Sequence, residues 1–205
     1  MENKTNRVPG RPKHDNEQEP VQDMLIRTAS KLFMEKGYDQ VSLEQIAKAC
    51  QVSKPSIYYH FSSKPELFTA SVIAIMNHVH AKTSNLLRES DTLETGLLRV
   101  AETRLANPHP EFETILNEAA NYLSEAQYTE IRQAELRIYQ LLAEHFERAM
   151  EQRILRDNDA LFLAQSFSTL LLLGNRKDTK SRYVSSRDLG KQIVDLFLRG
   201  ATLEG

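Results

Sequence analysis

The sequence predicts an all-α fold, on three observations. Apolar residues recur at spacings of three and four from about residue 20 almost to the end, hydroxyl residues stand repeatedly where a helix would begin, and no stretch alternates apolar with polar as a half-buried strand would. With 205 residues and 40% hydrophobic content, the chain can bury a sizeable core, as one domain or as two small ones.

Residues 1–19 are polar, lack apolar periodicity and are expected to form a flexible arm. A first helix is expected from about Pro20 to Lys36, with Met24, Leu25, Ala29, Leu32 and Phe33 on one face and Gly37 as its stop. Tyr38 to Val41 then link it to the next element, with Tyr38 expected to pack under the third helix.

Ser42 to Lys64, SLEQIAKACQVSKPSIYYHFSSK, is the most informative stretch. Ser42 is a good N-cap, Gln45 completes a capping box, and Leu43, Ile46, Ala47 and Cys50 share a helical face. After a break at Gln51-Val52, Ser53 caps a second short helix, where Pro55 is tolerated because a first-turn N–H has no intrahelical partner. Val52, Ile57 and Phe61 face the preceding helix, and Lys54, Ser56, Tyr58, Tyr59 and His60 are left outside. A cation, hydroxyls and flat amphipathic rings on barely two turns suit packing on sugar-phosphate and reaching base edges in a DNA major groove. Ser63-Lys64-Pro65-Glu66 is a further capping box, whose free N–H groups and Lys64 ammonium could hold a backbone phosphate.

The run from Ala29 to Leu67 resembles the DNA-binding domain of the TetR family of bacterial transcriptional repressors. The likeness is carried by Leu32-Phe33, Lys36-Gly37-Tyr38, Ser42-Leu43, Ile46-Ala47, Val52-Ser53, Ile57-Tyr58-Tyr59-His60-Phe61, Ser63-Lys64 and Leu67, over about a quarter of the chain. Gln51 stands where the family usually has glycine in the turn, and Pro55 where many members have glycine. A left-handed residue other than glycine costs roughly 1 kcal/mol, which the motif survives.

From Pro65 to about Arg88 the spacing predicts one long helix belonging to both halves of the molecule, with Leu67, Phe68, Val72, Ile75, Met76 and Val79 in register. Further helices are expected over about Thr92 to Ala106, Glu111 to Leu123, Ala126 to Arg153, Asn158 to Leu173 and Arg187 to Thr202. Asp91 with Glu94, and Ser124 with Gln127, supply caps, and Asn175 to Ser185 reads as a solvated loop. The expected division is residues 1–19 as a basic arm, 20–66 as a three-helix helix-turn-helix DNA-binding domain, and 67–205 as a helical effector-binding and dimerisation domain.

In the second half, Met76, Phe112, Ile115, Tyr122, Tyr139, Leu142 and Phe146 could line a cavity, with Arg104, His109, Asn121 and His145 as polar groups to orient a ligand. The resemblance implies that a cavity exists there without saying which residues line it. The last two helices carry Phe162, Phe167, Leu170, Leu189, Ile193 and Phe197, more apolar surface than one small domain needs. Two such helices from each of two subunits could bury it, and the resemblance implies pairing of that kind.

Charge and motif content narrow the function. The net charge of −2 taken alone argues against nucleic acid, but residues 1–64 hold 10 Lys/Arg against 8 Asp/Glu, so a localised patch is expected. Within the arm, Arg11 sits in a Gly-Arg-Pro core flanked by cations; this resembles an AT-hook, in which arginine enters a narrow minor groove, although a solvated tail is the other reading. No apolar run approaches the ~20 residues of a membrane span, and the single cysteine excludes an internal disulfide framework. His78 and His80, two apart, do not share a helical face, and no metal or cofactor is expected. No nucleophile with a base and no glycine-rich phosphate loop marks an enzyme.

The reading is therefore a cytoplasmic homodimer that binds double-stranded operator DNA of inverted-repeat form and is released by an unidentified small molecule. Lys54, Ser56 and Tyr58, with Pro55 beside them, are expected at base edges or groove, and Ser42, Tyr59, His60 and Lys64 at phosphates. The alternative is a helical small-molecule binding protein or enzyme that keeps a degenerate helix-turn-helix.

Overall fold

The computed structural model describes residues 19–106, 112–174 and 176–202, and of Lys177 the backbone alone. Among the described residues there are ten helices: α1 Val21–Lys36, α2 Leu43–Cys50, α3 Lys54–His60, α4 Lys64–Arg88, α5 Leu93–Ala106, α6 Phe112–Ala119, α7 Glu125–Glu151, α8 Ala160–Gly174, α9 Lys177–Lys180 and α10 Ser186–Ala201. No strand forms among them; Leu155 and Thr202 make an isolated bridge.

Local chemistry sets most helix starts. Ser42 and Gln45 form the reciprocal box that opens α2, and Ser124 and Gln127 do the same for α7, so that two orphan donors are satisfied at each end. Ser63 accepts from the Glu66 N–H, but the Glu66 carboxylate reaches one residue further back, to the N–H and hydroxyl of Ser62. Only half of the expected box is therefore made there. At α5 the cap is Thr92 with Thr95 instead of Asp91 with Glu94, each threonine hydroxyl accepting the other's backbone N–H. A hydroxyl serves both as donor and as acceptor, and the Thr92 and Thr95 hydroxyls lie 2.9 Å apart.

The segment after α8 also departs from expectation. Residues Lys177–Lys180 make one helical turn, and Lys180 Nζ donates to the carbonyl of Leu105 at 2.5 Å. That carbonyl belongs to the last turn of α5, where acceptors lack intrahelical partners and a cation is favoured.

Two cores share the long helices. The first gathers Leu25, Ala29 and Phe33 of α1, Ile46 of α2, Ile57 of α3 and Leu67, Phe68 and Val72 of α4, together with Ile115, Leu116 and Ala119 of α6 and Ile131 of α7. The second joins the end of α4 at Leu87 to α5, the second half of α7, α8 and α10. The first core thus does not stop at residue 66. Each fully buried aromatic or aliphatic side chain contributes about 1.5–3 kcal/mol, so α6 and the start of α7 are held to α1–α4 by the same force that holds α1–α4 together.

Candidate nucleic-acid interface

Helix α3 presents its polar side outward because its apolar side is spent. Ile57 is fully buried and Phe61, the residue after the helix, nearly so, whereas Lys54, Pro55, Tyr58 and Tyr59 are exposed and Ser56 and His60 half-buried. Tyr59 is 86% exposed, an unusual state for a ring on a seven-residue helix, and its edge meets the His60 ring at 5.0 Å. Ser53 fixes the helix start by accepting from the Ser56 N–H at 3.3 Å. Gln51 sets the angle between α2 and α3 from the left-handed region, at φ 56° and ψ 36°. Its neighbour Val52 donates to the Ala47 carbonyl at 3.0 Å, which closes the end of α2.

The cations of the face are held by partners within the chain. Lys54 Nζ forms an ion pair with Glu44 of α2, whose hydrogen bond pulls the carboxyl below its usual range and raises the ammonium. Lys64, the first residue of α4, lies 4.0 Å from the centroid of the Tyr38 ring, and burial lowers its ammonium. Ser42 flanks the face from the start of α2, and Arg11 lies outside the described residues.

Tyr38 itself is buried, in the same core as Ile57 of α3 and Phe61. Its ring stacks on Phe33 at 5.9 Å and meets Phe68 at 5.0 Å and Tyr122 at 5.3 Å, so it joins α1 to the start of α4 and to the turn after α6. Burial pushes its phenol up to about 12. Cys50 is likewise buried, its Sγ 3.9 Å from the Met24 carbonyl, as a small apolar residue would be.

The apolar residues expected to line an effector cavity are shared between the two cores, Ile115, Met76 and Phe112 with the first and Tyr139, Leu142 and Phe146 with the second. Met76 and Phe112 pack at the edge of the first core, and Tyr122 is 59% exposed beside Tyr38. Phe146 is fully buried against Phe197 at 5.4 Å, as part of the second core. Tyr139 is half-buried and donates to Glu135 Oε1 at 2.8 Å, while Arg104, whose ionised form burial disfavours, stands near it. His109 lies outside the described residues, Asn121 is exposed, and His145 lines a cleft elsewhere.

The expected subunit interface divides in the same way. Phe167, Leu189, Ile193 and Phe197 are buried within the single chain, where α8 and α10 meet α5 and α7, and Leu170 is half-buried against that core. Phe162 is 60% exposed, and it shares the outer side of α8 with Leu172 and Leu173; Leu196, 63% exposed, projects from α10. Helical spacing places 163, 164, 167 and 171 on one face and 162, 169, 172 and 173 on the other, so an all-round apolar helix does not reveal which face turns inward. Leu172 and Glu44 were not distinguished by sequence pattern, because nothing local marks an outward leucine or the partner of a lysine ten residues away.

Residues 25–70 match the family model described as bacterial regulatory proteins, tetR family. Over this N-terminal stretch the chain is similar to the tetR family. It is 40% identical over 60 residues to the biofilm operon icaADBC HTH-type negative transcriptional regulator IcaR of Staphylococcus aureus. That stretch covers 29% of this chain and 32% of IcaR, so the chain matches about a third of the length of that relative. Among solved structures, the reduced form of E. coli NemR superposes with a TM-score of 0.74 at 19% identity, over 89% of this chain and 98% of that one. AibR in complex with isovaleryl coenzyme A and operator DNA gives 0.63 at 21% identity, over 86% and 97%. At such identities the likeness shows that the tetR-type fold extends through the second half.

Proposed function

We propose that the chain is a dimeric, sequence-specific DNA-binding transcriptional regulator, a cytoplasmic repressor released from an inverted-repeat operator by a small molecule. The observation that carries this is α3: Ile57 and Phe61 anchor it, and Lys54, Pro55, Ser56, Tyr58, Tyr59 and His60 line its accessible side. A helix so anchored enters a major groove with Lys54, Ser56 and Tyr58 toward base edges, and with Tyr59, His60, Ser42 and Lys64 toward phosphates. Arg11, in the arm of residues 1–19, adds a minor-groove contact. IcaR, named a negative transcriptional regulator, and AibR, solved with an acyl coenzyme A and operator DNA, support the same assignment.

In this division residues 20–66 bind DNA, and residues 67–205 pair with a second copy and take up the effector. The outer faces of α8 and α10, with Phe162, Leu172, Leu173 and Leu196, form the pairing surface, since four outward apolar side chains on two adjacent helices suit a four-helix seam between copies. Fluorescence anisotropy on DNA from upstream of the protein's own gene, at two salt concentrations and with unrelated DNA as competitor, tests the reading. A saturable shift that survives competitor and the higher salt is expected. Binding that disappears with modest salt on every fragment would overturn it and leave a helical binding protein with a vestigial motif.

A further inference from the structure

A cleft of about 830 Å3 opens where the end of α4, the start of α5, the second half of α7 and the end of α10 meet. Sites for small molecules commonly enclose about 300–1,000 Å3, with apolar walls and a few polar groups. This cleft has that character. Leu87, Leu141, Ala149 and Leu198 supply apolar wall, and Ser84 and His145 lie half-buried in it with no hydrogen-bond partner among the described residues.

The register of α4 against α7 indicates the chemistry. Arg137 donates to Asn77 Oδ1 at 3.2 Å, a sequence separation of 60, and both helices run from the first core to the second. Continued along the groove, that separation sets Ser84 across from Glu144 and His145, and Arg88 across from Arg148; all of these line the cleft. Two arginines and a histidine therefore line one cleft from neighbouring helices, Arg88 from α4 and His145 and Arg148 from α7, together with Glu144. Arg88 is bonded to Asn85 Oδ1 at 2.6 Å and makes no ion pair among the described residues, and Arg148 has only Glu144, at 3.9 Å. Such a cluster is stabilised by an anion that both arginines can grip.

We propose that this cleft binds a small amphipathic carboxylate, with its hydrocarbon part on Leu87, Leu141, Ala149 and Leu198 and its carboxylate between Arg88, Arg148 and His145. Three carboxylates line the same cleft: Asp91 and Glu94 repel the head on the α5 side, whereas Glu144, on α7, lies 3.9 Å from Arg148 and leaves Arg88 as the cation without an ion-pair partner among the described residues, so the head is directed toward Arg88 on the α4 side. That this ligand is the effector rests on the regulator reading above: α4 begins at Lys64 beside α3 and ends in this cleft, so a ligand that shifts its far end alters the placement of α3.

The test is calorimetric titration of the full chain, without DNA, using octanoate, octanol and octylammonium as probes of equal tail length. Octanoate is expected to bind most tightly, and Arg88→Gln and Arg148→Gln each to weaken it by roughly tenfold or more while leaving octanol unchanged. Glu94→Gln, on the opposite side, strengthens octanoate binding. Both arginines are exposed, so their replacement leaves the fold intact, which far-ultraviolet circular dichroism checks. Octylammonium binding as tightly as octanoate, octanoate binding undiminished in the double arginine variant, or no saturable binding of any probe would each overturn the proposal. Because DNA is absent, a failure of the DNA-binding reading leaves these measurements untouched, and the anisotropy experiment fails or succeeds separately.

Discussion

The backbone N–H of Tyr38 donates to Oε2 of Glu118 at 2.8 Å, across 80 residues of sequence. The same oxygen lies 3.5 Å from the Asp39 N–H, and a Cβ built on Gly37 would come within 2.6 Å of it. Gly37 stands at φ 84°, where side chains are strained, so the turn after α1 is shaped to receive this carboxylate from the end of α6. Glu118→Ala leaves a part-buried donor without its acceptor, at a cost of about 1–3 kcal/mol. Urea denaturation reads this as a lower midpoint. Glu118→Gln, which keeps an acceptor oxygen, loses less, and equal losses would mean that the charge, not the hydrogen bond, holds the turn.

Lys54 and Glu44 give a second test, because the lysine proposed to face DNA is paired in the free chain with a carboxylate on the same surface. Both groups are exposed, so the pair adds little to stability. Its effect falls on DNA binding. Glu44→Gln frees the ammonium and removes a negative charge near the phosphates, so affinity for all DNA rises several-fold at low salt, and the gain shrinks as salt is added. Lys54→Ala, by contrast, costs about 1–3 kcal/mol on the operator and relaxes its sequence preference. Anisotropy on operator and unrelated DNA separates the two, and an unchanged preference in the alanine variant would remove Lys54 from base reading.

The outward faces of α8 and α10 predict the behaviour of a charged substitution. Phe162→Glu with Leu196→Glu places two carboxylates where a second copy would bury apolar surface, yet neither side chain is needed inside the chain, both being more than half exposed. Sedimentation equilibrium should show a monomer with unchanged circular dichroism. Operator affinity falls steeply in the same variant, since two half-sites are no longer bound by one particle. A dimer that persists would place the pairing surface elsewhere.

What could be read from the sequence was what is decided locally. The caps Ser42, Ser53, Ser63 and Ser124 act on backbone within three residues, and α3 occupies Lys54–His60, the span that its N-cap and proline imply. Decisions between distant segments were not legible. Leu189 and Leu196 are the same residue type on one helix, and only the packing of α5 and α8 against α10 makes the first core and the second surface. Phe146 had the composition of a cavity wall and became core because Phe197 meets it. The Tyr38–Glu118 contact and the partner of Lys54 depend on chain separations that no periodicity encodes.

Gln51 offers a prediction in which sequence and structure meet. Its position between two helices, where related domains carry glycine, implied a left-handed residue, and its φ of 56° and ψ of 36° place it there. A residue with a Cβ pays roughly 1 kcal/mol for that conformation, which glycine does not. The Gln51 side chain is exposed and its backbone N–H keeps its bond to the Lys48 carbonyl whatever the side chain, so Gln51→Gly removes the strain without removing a contact. Glycine also loosens the unfolded chain, which offsets part of the gain. The expected result is a stabilisation of a few tenths to about 1 kcal/mol, read from the urea midpoint at unchanged m. A loss of stability would mean that the turn between α2 and α3 is held by the glutamine side chain and not merely tolerated by the backbone.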